Sequence, residues 1–366
     1  MRLAIVHDYL VDTGGAEQVV LALHEQYPAA PIFTSVYDPR TTFAEFHALD
    51  LRTSFLQLPF VRKANYKFLL PFYPRAFESF DLSAFDVIIS SASAFAKGVR
   101  APRGALHICY CHTPTRFIWR TDDYLAQEQI GRAHRAFIRA TVRAQKKWDY
   151  AAAQRVHHFI ANSRATAQRI QENYARDSTI IHPPVDVEKF ALADKISDYY
   201  LVASRLAPYK RIDLAVNAFN RLGLPLKIVG AGADESRLRR IARDNIEFLG
   251  HVPQKQLARL MAQCRAFIFP GVEDFGIAAL EANAAGRPVI AFAASGALET
   301  VVDDVTGKLF RAQTPDALAD VVAQTDVTKF DPRVMRAHAE KFSTARFRER
   351  IAQFVEEEWS VWRKDG

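Results

Sequence analysis

Two successive series of short apolar runs, each run followed by a longer stretch of helical periodicity, constrain this chain more than any other feature. In the first series the predicted strands are Arg2 to Val6, Ile32 to Ser35, Val87 to Ser90, Ala105 to Cys109 and His158 to Ala161, with amphipathic stretches such as Ala16 to Gln26 between them. The second series has Tyr199 to Ala203, Leu226 to Val229, Ile246 to Leu249, Ala266 to Phe269, Val289 to Phe292 and Gly307 to Phe310. Such alternation reads as βα units around parallel strands, so the fold class is α/β and two sheets are implied. Between the series, His182-Pro183-Pro184-Val185-Asp186 carries two prolines that exclude helix and hold the preceding residue extended, which marks a hinge. Phe347, Ile351, Phe354, Val355 and Trp359 recur at helical spacing within Thr344 to Trp362 and follow the last strand with no further strand to return to. The predicted organisation is a first domain over 1–180, a linker over 181–195, a second domain over 196–342, and a terminal helix over 343–366 that packs back on the first domain.

With 49% apolar and 24% charged residues, the chain has the composition of an ordinary folded protein, which excludes disorder and low complexity. Cys109, Cys111 and Cys264 are too few for a disulfide framework and point to a reducing compartment. The run Leu3-Ala4-Ile5-Val6 before His7 and Asp8 is far too short for a signal-peptide core, and no apolar run approaches the roughly 18 residues of a membrane span. A cytoplasmic location is expected. The net charge of +7 is uneven: residues 1–180 carry 22 basic and 16 acidic side chains, whereas residues 181–366 carry 26 and 25. The first half therefore faces something anionic. No helix-turn-helix, zinc-finger spacing or aromatic RNA-binding signature accompanies that charge, so a membrane surface or a phosphorylated substrate is preferred to nucleic acid.

In open α/β sheets, ligands sit beyond the carboxyl ends of the strands, where glycine turns and helix N-termini present backbone N–H groups. Gly14-Gly15 follows the first strand and opens the first helix, but the G-x-G-x-x-G dinucleotide fingerprint is absent there, and Gly230-Ala231-Gly232 lacks its third glycine. Arg205-Leu206-Ala207-Pro208-Tyr209-Lys210-Arg211 lies at another strand-to-helix turn, where Arg205 and Lys210 suit a diphosphate clamp; a solvated charge run is the alternative. The stretch Phe269 to Ala291 reads strand, loop, helix, stop, strand, with Glu273 in the loop, a helix starting near Gly276, Glu281 about one turn inside it, and Gly286 and Pro288 as the stop. A carboxylate on an apolar helix face must reach solvent or accept hydrogen bonds from a polyol-like ligand. Glu273 as a charge complementing a helix start and Glu281 as an exposed residue are the structural alternatives. His112 stands past a strand end in Cys109-Tyr110-Cys111-His112, which is poor zinc spacing.

Glu273 and Glu281, within Glu-Asp-Phe-Gly-Ile and followed by Gly286-Arg287-Pro288-Val289-Ile290-Ala291, resemble the E-x7-E motif of the retaining family 4 glycosyltransferases. The resemblance runs through the Gly14-Gly15 loop, Asn162-Ser163, Pro184-Val185-Asp186, Arg205 to Lys210, Gly230-Ala231-Gly232, Phe248-Leu249-Gly250 and Ser295 to Thr300, with the flavour of bacterial O-antigen and exopolysaccharide mannosyltransferases. Where the family commonly has Gly-Gly after the strand ending at Phe292, this chain has Ser295-Gly296. The resemblance implies a GT-B fold, two Rossmann-like domains facing across a cleft, with the acceptor on the first domain and the nucleotide sugar on the second. It implies that Arg205 and Lys210 hold the diphosphate, Glu281 the ribose, Glu273 the sugar hydroxyls, and backbone N–H groups of Phe275, Gly276 and Ile277 the sugar and phosphate. Gly14, Gly15 and Gly230 would line the donor site and His112 the sugar, making Glu273, His112, Arg205 and Lys210 the catalytic set. Neither a metal nor a cofactor is implied beyond the donor, GDP-mannose or a UDP-sugar. The favoured mechanism is front-side attack, in which the leaving phosphate helps deprotonate the acceptor hydroxyl.

From Leu51 to Phe77 the chain carries five basic residues, no acid, and many aromatics. Such a segment suits an anionic membrane interface, with Arg62, Lys63, Lys67 and Arg75 at lipid phosphates, and Arg132, Arg135, Arg139, Arg143, Lys146 and Lys147 extend the patch at near-helical spacing. Ordinary solvated faces are the bland alternative. The expectation is a peripheral enzyme at the inner face of the cell membrane that acts on a polyprenyl-diphosphate-linked or oligosaccharide acceptor in polysaccharide synthesis. A sugar-nucleotide epimerase on the same scaffold and a noncatalytic binding subunit are the rivals.

Overall fold

A strand whose five residues are all buried, as Leu3–His7 (β1) is, belongs inside a sheet covered on both faces. A computed structural model describes residues 1–63, 65–122, 125 and 131–365, without the side chains of residues 67, 133, 134, 137, 138 and 365. The described residues fall into two compact units, one comprising those up to Pro184 together with those from Ala345 onward, the other Val185–Thr344.

In the first unit β1 lies among β2 (Ile32–Thr34), β3 (Leu51–Thr53), β4 (Val87–Ala92), β5 (Leu106–Cys111), β6 (His158–Ala161) and β7 (Thr179–Ile180). Among the described residues the strand order is β3-β2-β1-β4-β5-β6-β7, with every pair parallel. Alternate residues feed two cores. Leu3, Ile5, Ile89, Ile108 and Ile160 meet Val19, Val20 and Leu23 of the helix Gly15–Gln26 and Phe347, Ile351, Phe354 and Val355 of the terminal helix Thr344–Asp365. Ala4, Val6, Ile88, Cys109 and Phe159 face the opposite layer, with Ala76, Phe77, Ala153, Ile170 and Tyr174.

The second unit repeats the plan with β8 (Tyr200–Ala203), β9 (Leu226–Val229), β10 (Ile246–Gly250), β11 (Phe267–Phe269), β12 (Val289–Phe292) and β13 (Gly307–Phe310). The order is β10-β9-β8-β11-β12-β13, again parallel throughout. Each sheet has one point where consecutive connections change direction, β1/β4 in the first and β8/β11 in the second. Crevices for ligands open at such points.

Two strands of the first sheet, β3 and β7, go beyond the sequence expectation. Leu51-Arg52-Thr53 is a half-exposed edge strand with little apolar signal, and β7 has only two residues. Leu51 to Phe77, read from sequence as one interfacial segment, contains that strand, a 3-10 turn at Tyr66–Phe72 and the short helix Tyr73–Glu78.

A buried ion pair ties the long basic helix Arg132–Gln154 to the first sheet. Asp149 accepts from Lys97 Nζ at 2.5 Å, Thr115 Oγ1 at 2.9 Å, Trp119 Nε1 at 2.7 Å and Tyr174 Oη at 2.8 Å, and the side chains of the pair are 0% and 2% exposed. Removing one member of such a pair strands the other charge. Asp149→Ala is expected to cost about 3–5 kcal/mol in denaturant unfolding, whereas substitution of the exposed neighbour Lys147 should cost less than about 0.5 kcal/mol.

Candidate functional site

The polar residues of each unit collect at the carboxyl ends of the strands that flank its switch point. In the second unit, β8 runs into Ser204 and Arg205, then the turn Pro208–Lys210, then Arg211, whose φ of 53° places it in the left-handed region before the helix Ile212–Leu222. Arg205 donates to Tyr209 Oη at 2.5 Å, its guanidinium carbon lies 5.7 Å from the Tyr209 ring centroid, and Lys210 Nζ lies 5.3 Å from the same centroid. One phenol therefore braces both cations. Lys210 Nζ also stands 2.6 Å from Glu273 Oε1, in the loop that leaves β11. The two switch-point strands thus deliver a cation and a carboxylate to one spot.

Glycines set how closely these loops approach. A Cβ on Gly271 would lie 2.7 Å from the Lys210 carbonyl oxygen, and one on Gly230 only 1.9 Å from that of Ser204. Gly230 also has a φ of 126°. No side chain fits either position, so the loops after β8, β9 and β11 stack backbone on backbone. Gly296 donates its amide to the Glu273 carbonyl at 2.9 Å and braces the acidic loop from the β12 side. Ser295 before it has a φ of 51° and a buried Oγ with no hydrogen-bond partner among the described residues. Glycine at this position would remove the backbone strain, which gives the family's usual Gly-Gly a physical reason.

Gly276, with a φ of 96°, precedes the helix Ile277–Ala284, whose first N–H groups lack helical acceptors. The Phe275 ring is buried against Phe342, so only its backbone suits a ligand. Glu281 sits within that helix, partly exposed, and its carboxylate accepts no hydrogen bond from any described residue. Burial pushes its pKa up to about 7, with Lys189 opposing the rise and Asp186 adding to it. That unpartnered carboxylate is the acceptor a hydroxyl-bearing ligand requires.

In the first unit, Gly14 caps the helix Gly15–Gln26, and Glu17, three residues on, takes the Gly14 amide on Oε2 at 3.0 Å. Glu17 Oε1 lies 3.9 Å from His7 Nε2. His112 follows β5, partly buried, with Nε2 2.8 Å from Ser91 Oγ at the end of β4. Asp8, 1% exposed, accepts from the amides of Ser93, Ala94, Phe95 and Ala96 at 2.6–2.8 Å. The amide nest beyond β4 is therefore filled by the protein's own anion. The three cysteines are free and buried, and burial pushes the Cys109 and Cys264 thiols up to about 12. They are packing residues.

His7, Asp8, Glu17, Ser91 and Tyr209 escaped the sequence reading. Glu17 had a local signal, an acid three positions after a helix cap. Tyr209 lies in the same loop as the two cations it contacts, and His7, Asp8 and Ser91 are brought together by the pairing of β1 with β4, which a linear motif does not display. Of the basic residues assigned to a membrane, Arg75 is exposed, Lys63 is ion-paired with Asp12 at 3.1 Å, Arg62 donates to the Val61 carbonyl, and the Lys67 side chain lies outside the described residues.

Residues 13–189 match the profile described as Glycosyltransferase Family 4, and residues 186–326 that of Glycosyl transferases group 1, so the two run in succession along most of the chain. The two matches together make the chain a family 4-like glycosyltransferase. It is 34% identical over 163 residues to a GDP-mannose-dependent alpha-(1-6)-phosphatidylinositol monomannoside mannosyltransferase of Mycobacterium tuberculosis, a match covering 40% of this chain and 42% of that protein. The chain thus spans less than half the length of that relative. Human alpha-1,3/1,6-mannosyltransferase ALG2 is 25% identical over 404 residues, covering 93% of this chain and 92% of its own length. Among solved structures, sucrose-phosphate synthase of Thermosynechococcus elongatus has a TM-score of 0.78 at 18% identity, covering 99% of this chain and all of its own. Anabaena Alr3699/HepE in complex with UDP and glucose has 0.74 at 18%, covering 97% and 99%. These likenesses show the fold, the pair of parallel α/β sheets of GT-B enzymes.

A carboxyl whose folded pKa stands above its ordinary 4.5 holds its proton more tightly when folded, so Glu281's contribution to stability is full below about 4.5 and falls as pH rises toward about 7. Glu281→Gln is expected to melt with the parent near pH 4 and above it at pH 8, by on the order of 1–2 kcal/mol once partial solvent access is counted. Parallel melting curves across that range would show Glu281 to be solvated.

Proposed function

We propose that this family 4-like glycosyltransferase is a retaining mannosyltransferase that takes mannose from GDP-mannose and passes it to a lipid-linked acceptor at an anionic membrane surface. The observation that carries the reading is the Lys210–Glu273 contact of 2.6 Å at the β8/β11 switch point, with Arg205 held beside it through Tyr209. Positive charge fixed at that edge receives the charge that develops on the leaving diphosphate. Glu273 spends Oε1 on Lys210 and offers Oε2, which no described residue engages, to a sugar hydroxyl. Glu281 takes the ribose hydroxyls, and the amides of Phe275, Gly276 and Ile277 face the sugar and phosphate. The departing phosphate takes the proton of the attacking hydroxyl on the same face of the sugar. Mannose and the guanine nucleotide are supported by the mannosyltransferases among the relatives, one of which carries GDP-mannose in its name.

Lys210→Ala is expected to lower kcat by about 10²–10³-fold while changing GDP-mannose affinity, measured by calorimetry, by less than about tenfold. Transfer from a UDP-sugar and none from GDP-mannose would overturn the donor assignment, and unchanged turnover would overturn the clamp.

The membrane part rests on the surface of residues 55–75. Phe60 and Phe68 are 66% and 63% exposed, and Phe55, Leu58 and Phe72 are exposed as well. Lys63 and Arg75 lie in the same stretch, and Arg75 opens into a groove of about 510 Å³ lined by Pro74, Glu78, Ser79, Arg100 and Trp148. Exposed aromatics interleaved with cations match the headgroup region of anionic lipid. No described helix is long and apolar enough to cross a membrane. The protein is expected to float with phosphatidylglycerol vesicles at low salt and to release at high salt. Burying a phenylalanine contributes about 1.5–3 kcal/mol, so Phe60→Asp with Phe68→Asp should weaken binding at least about tenfold. Absence of binding at low salt would remove the membrane from the proposal.

A further inference from the structure

A side chain from a third loop binds the chain beside each member of the Lys210–Glu273 contact. Gln313 stands three residues beyond β13, which is separated from β11 by β12. Its Nε2 donates at 3.1 Å to the carbonyl of Pro270, the first residue of the loop that carries Glu273. Its Oε1 accepts at 3.3 Å from Nη1 of Arg211, the residue after Lys210. Arg211 turns its other donors to Asp213, Nε to Oδ1 at 3.1 Å and Nη2 to Oδ2 at 3.5 Å.

The Gln313 amide fits only one way round. The Pro270 carbonyl only accepts and the Arg211 guanidinium only donates, so Nε2 faces the first and Oε1 the second. The loop that presents it is anchored on its far side. Thr314 caps the helix Pro315–Gln324 by accepting from the Ala317 amide at 3.3 Å, and Leu318 and Val322 of that helix share a core with Val216 and Phe219 of the helix Ile212–Leu222, which Arg211 opens. A non-glycine residue with a φ of 53°, as Arg211 has, is held there by its surroundings, and Asp213 and Gln313 are the described partners of its guanidinium.

We propose that Gln313 is a positioning residue for sugar transfer, which straps the β11 loop to the β8 loop and so fixes Lys210 against Glu273. The inference rests on the reading that gives Lys210 the leaving diphosphate and Glu273 the sugar. Gly271 lets the two loops touch backbone to backbone, since a Cβ there would lie 2.7 Å from the Lys210 carbonyl oxygen, and Gln313 ties them from the β13 side. A displacement of about 1 Å in such a site can cost 10²-fold in rate. Only a neutral side chain with one donor and one acceptor serves both loops: a glutamate would set a second acceptor against the Pro270 carbonyl, and a lysine would repel Arg211.

The test compares Gln313→Met, which keeps the side chain's length and removes both bonds, with Gln313→Glu, which keeps the Arg211 bond alone. GDP release from GDP-mannose is followed with a polyprenyl-diphosphate-linked sugar as acceptor. Both variants should lower kcat about 10–10²-fold, leave donor KM within about threefold, and melt within about 4 °C of the parent. In the Lys210→Ala background, Gln313→Met should lower kcat by no more than about twofold, because its effect passes through Lys210. Parental turnover in both Gln313 variants beside a crippled Lys210→Ala overturns the strap alone. An undiminished loss in the Lys210→Ala background also overturns it, since a merely structural residue would act there too. Denaturant unfolding needs no assay of transfer: Gln313→Met and Arg211→Ala together should cost less than the sum of the two, and additivity overturns the strap. A coupled pair in a protein that releases no GDP, or in one whose Lys210→Ala variant keeps the parental rate, overturns the functional reading and the positioning role with it.

Discussion

Parallel pairing, with helices over both faces, confines the chemistry of each unit to one edge. The central strands are mostly apolar because both faces are covered. Polar side chains are admitted where the strands stop, and crevices form where the winding reverses. Lys210 and Glu273 meet because β8 and β11 are neighbours there, and His7, Ser91 and His112 line up because β1, β4 and β5 are. Hydrogen-bonded register, more than any local motif, assembles these groups.

Two carboxylates show how differently the edges use charge. Asp8 is enclosed by four backbone amides and welds the loop after β4 to the end of β1. The Glu281 carboxylate takes no hydrogen bond from a described residue, and burial raises its pKa to about 7. One negative charge is a structural rivet and the other an unfilled valence.

Much of this was legible in the sequence because its signals are local. β6, β9, β12 and β13 fall where their apolar runs lie, since each run is bounded by a turn or a polar residue. Glu273, Glu281, Arg205 and Lys210 stood out because acids and bases beside strand ends contrast with their surroundings. β3 escaped because an exposed edge strand need not be apolar, and β7 because two residues carry no periodicity. His7 and Ser91 escaped for a different reason. They are 84 residues apart and become a pair only through the register of β1 with β4. The role of Gly271 was likewise invisible, because the carbonyl that forbids its side chain belongs to Lys210 in another loop.

The second unit closes on itself where the chain enters and leaves it. The Val185 amide donates to the Phe342 carbonyl at 2.9 Å and the Thr344 amide to the Val185 carbonyl at 3.1 Å, so entrance and exit run side by side as one rung of ladder. A segment with its two ends so joined is an insert with a ready-made seam. Both of its connections leave from that one place, so a segment of the same design with its ends equally close could take its position without stretching either of them.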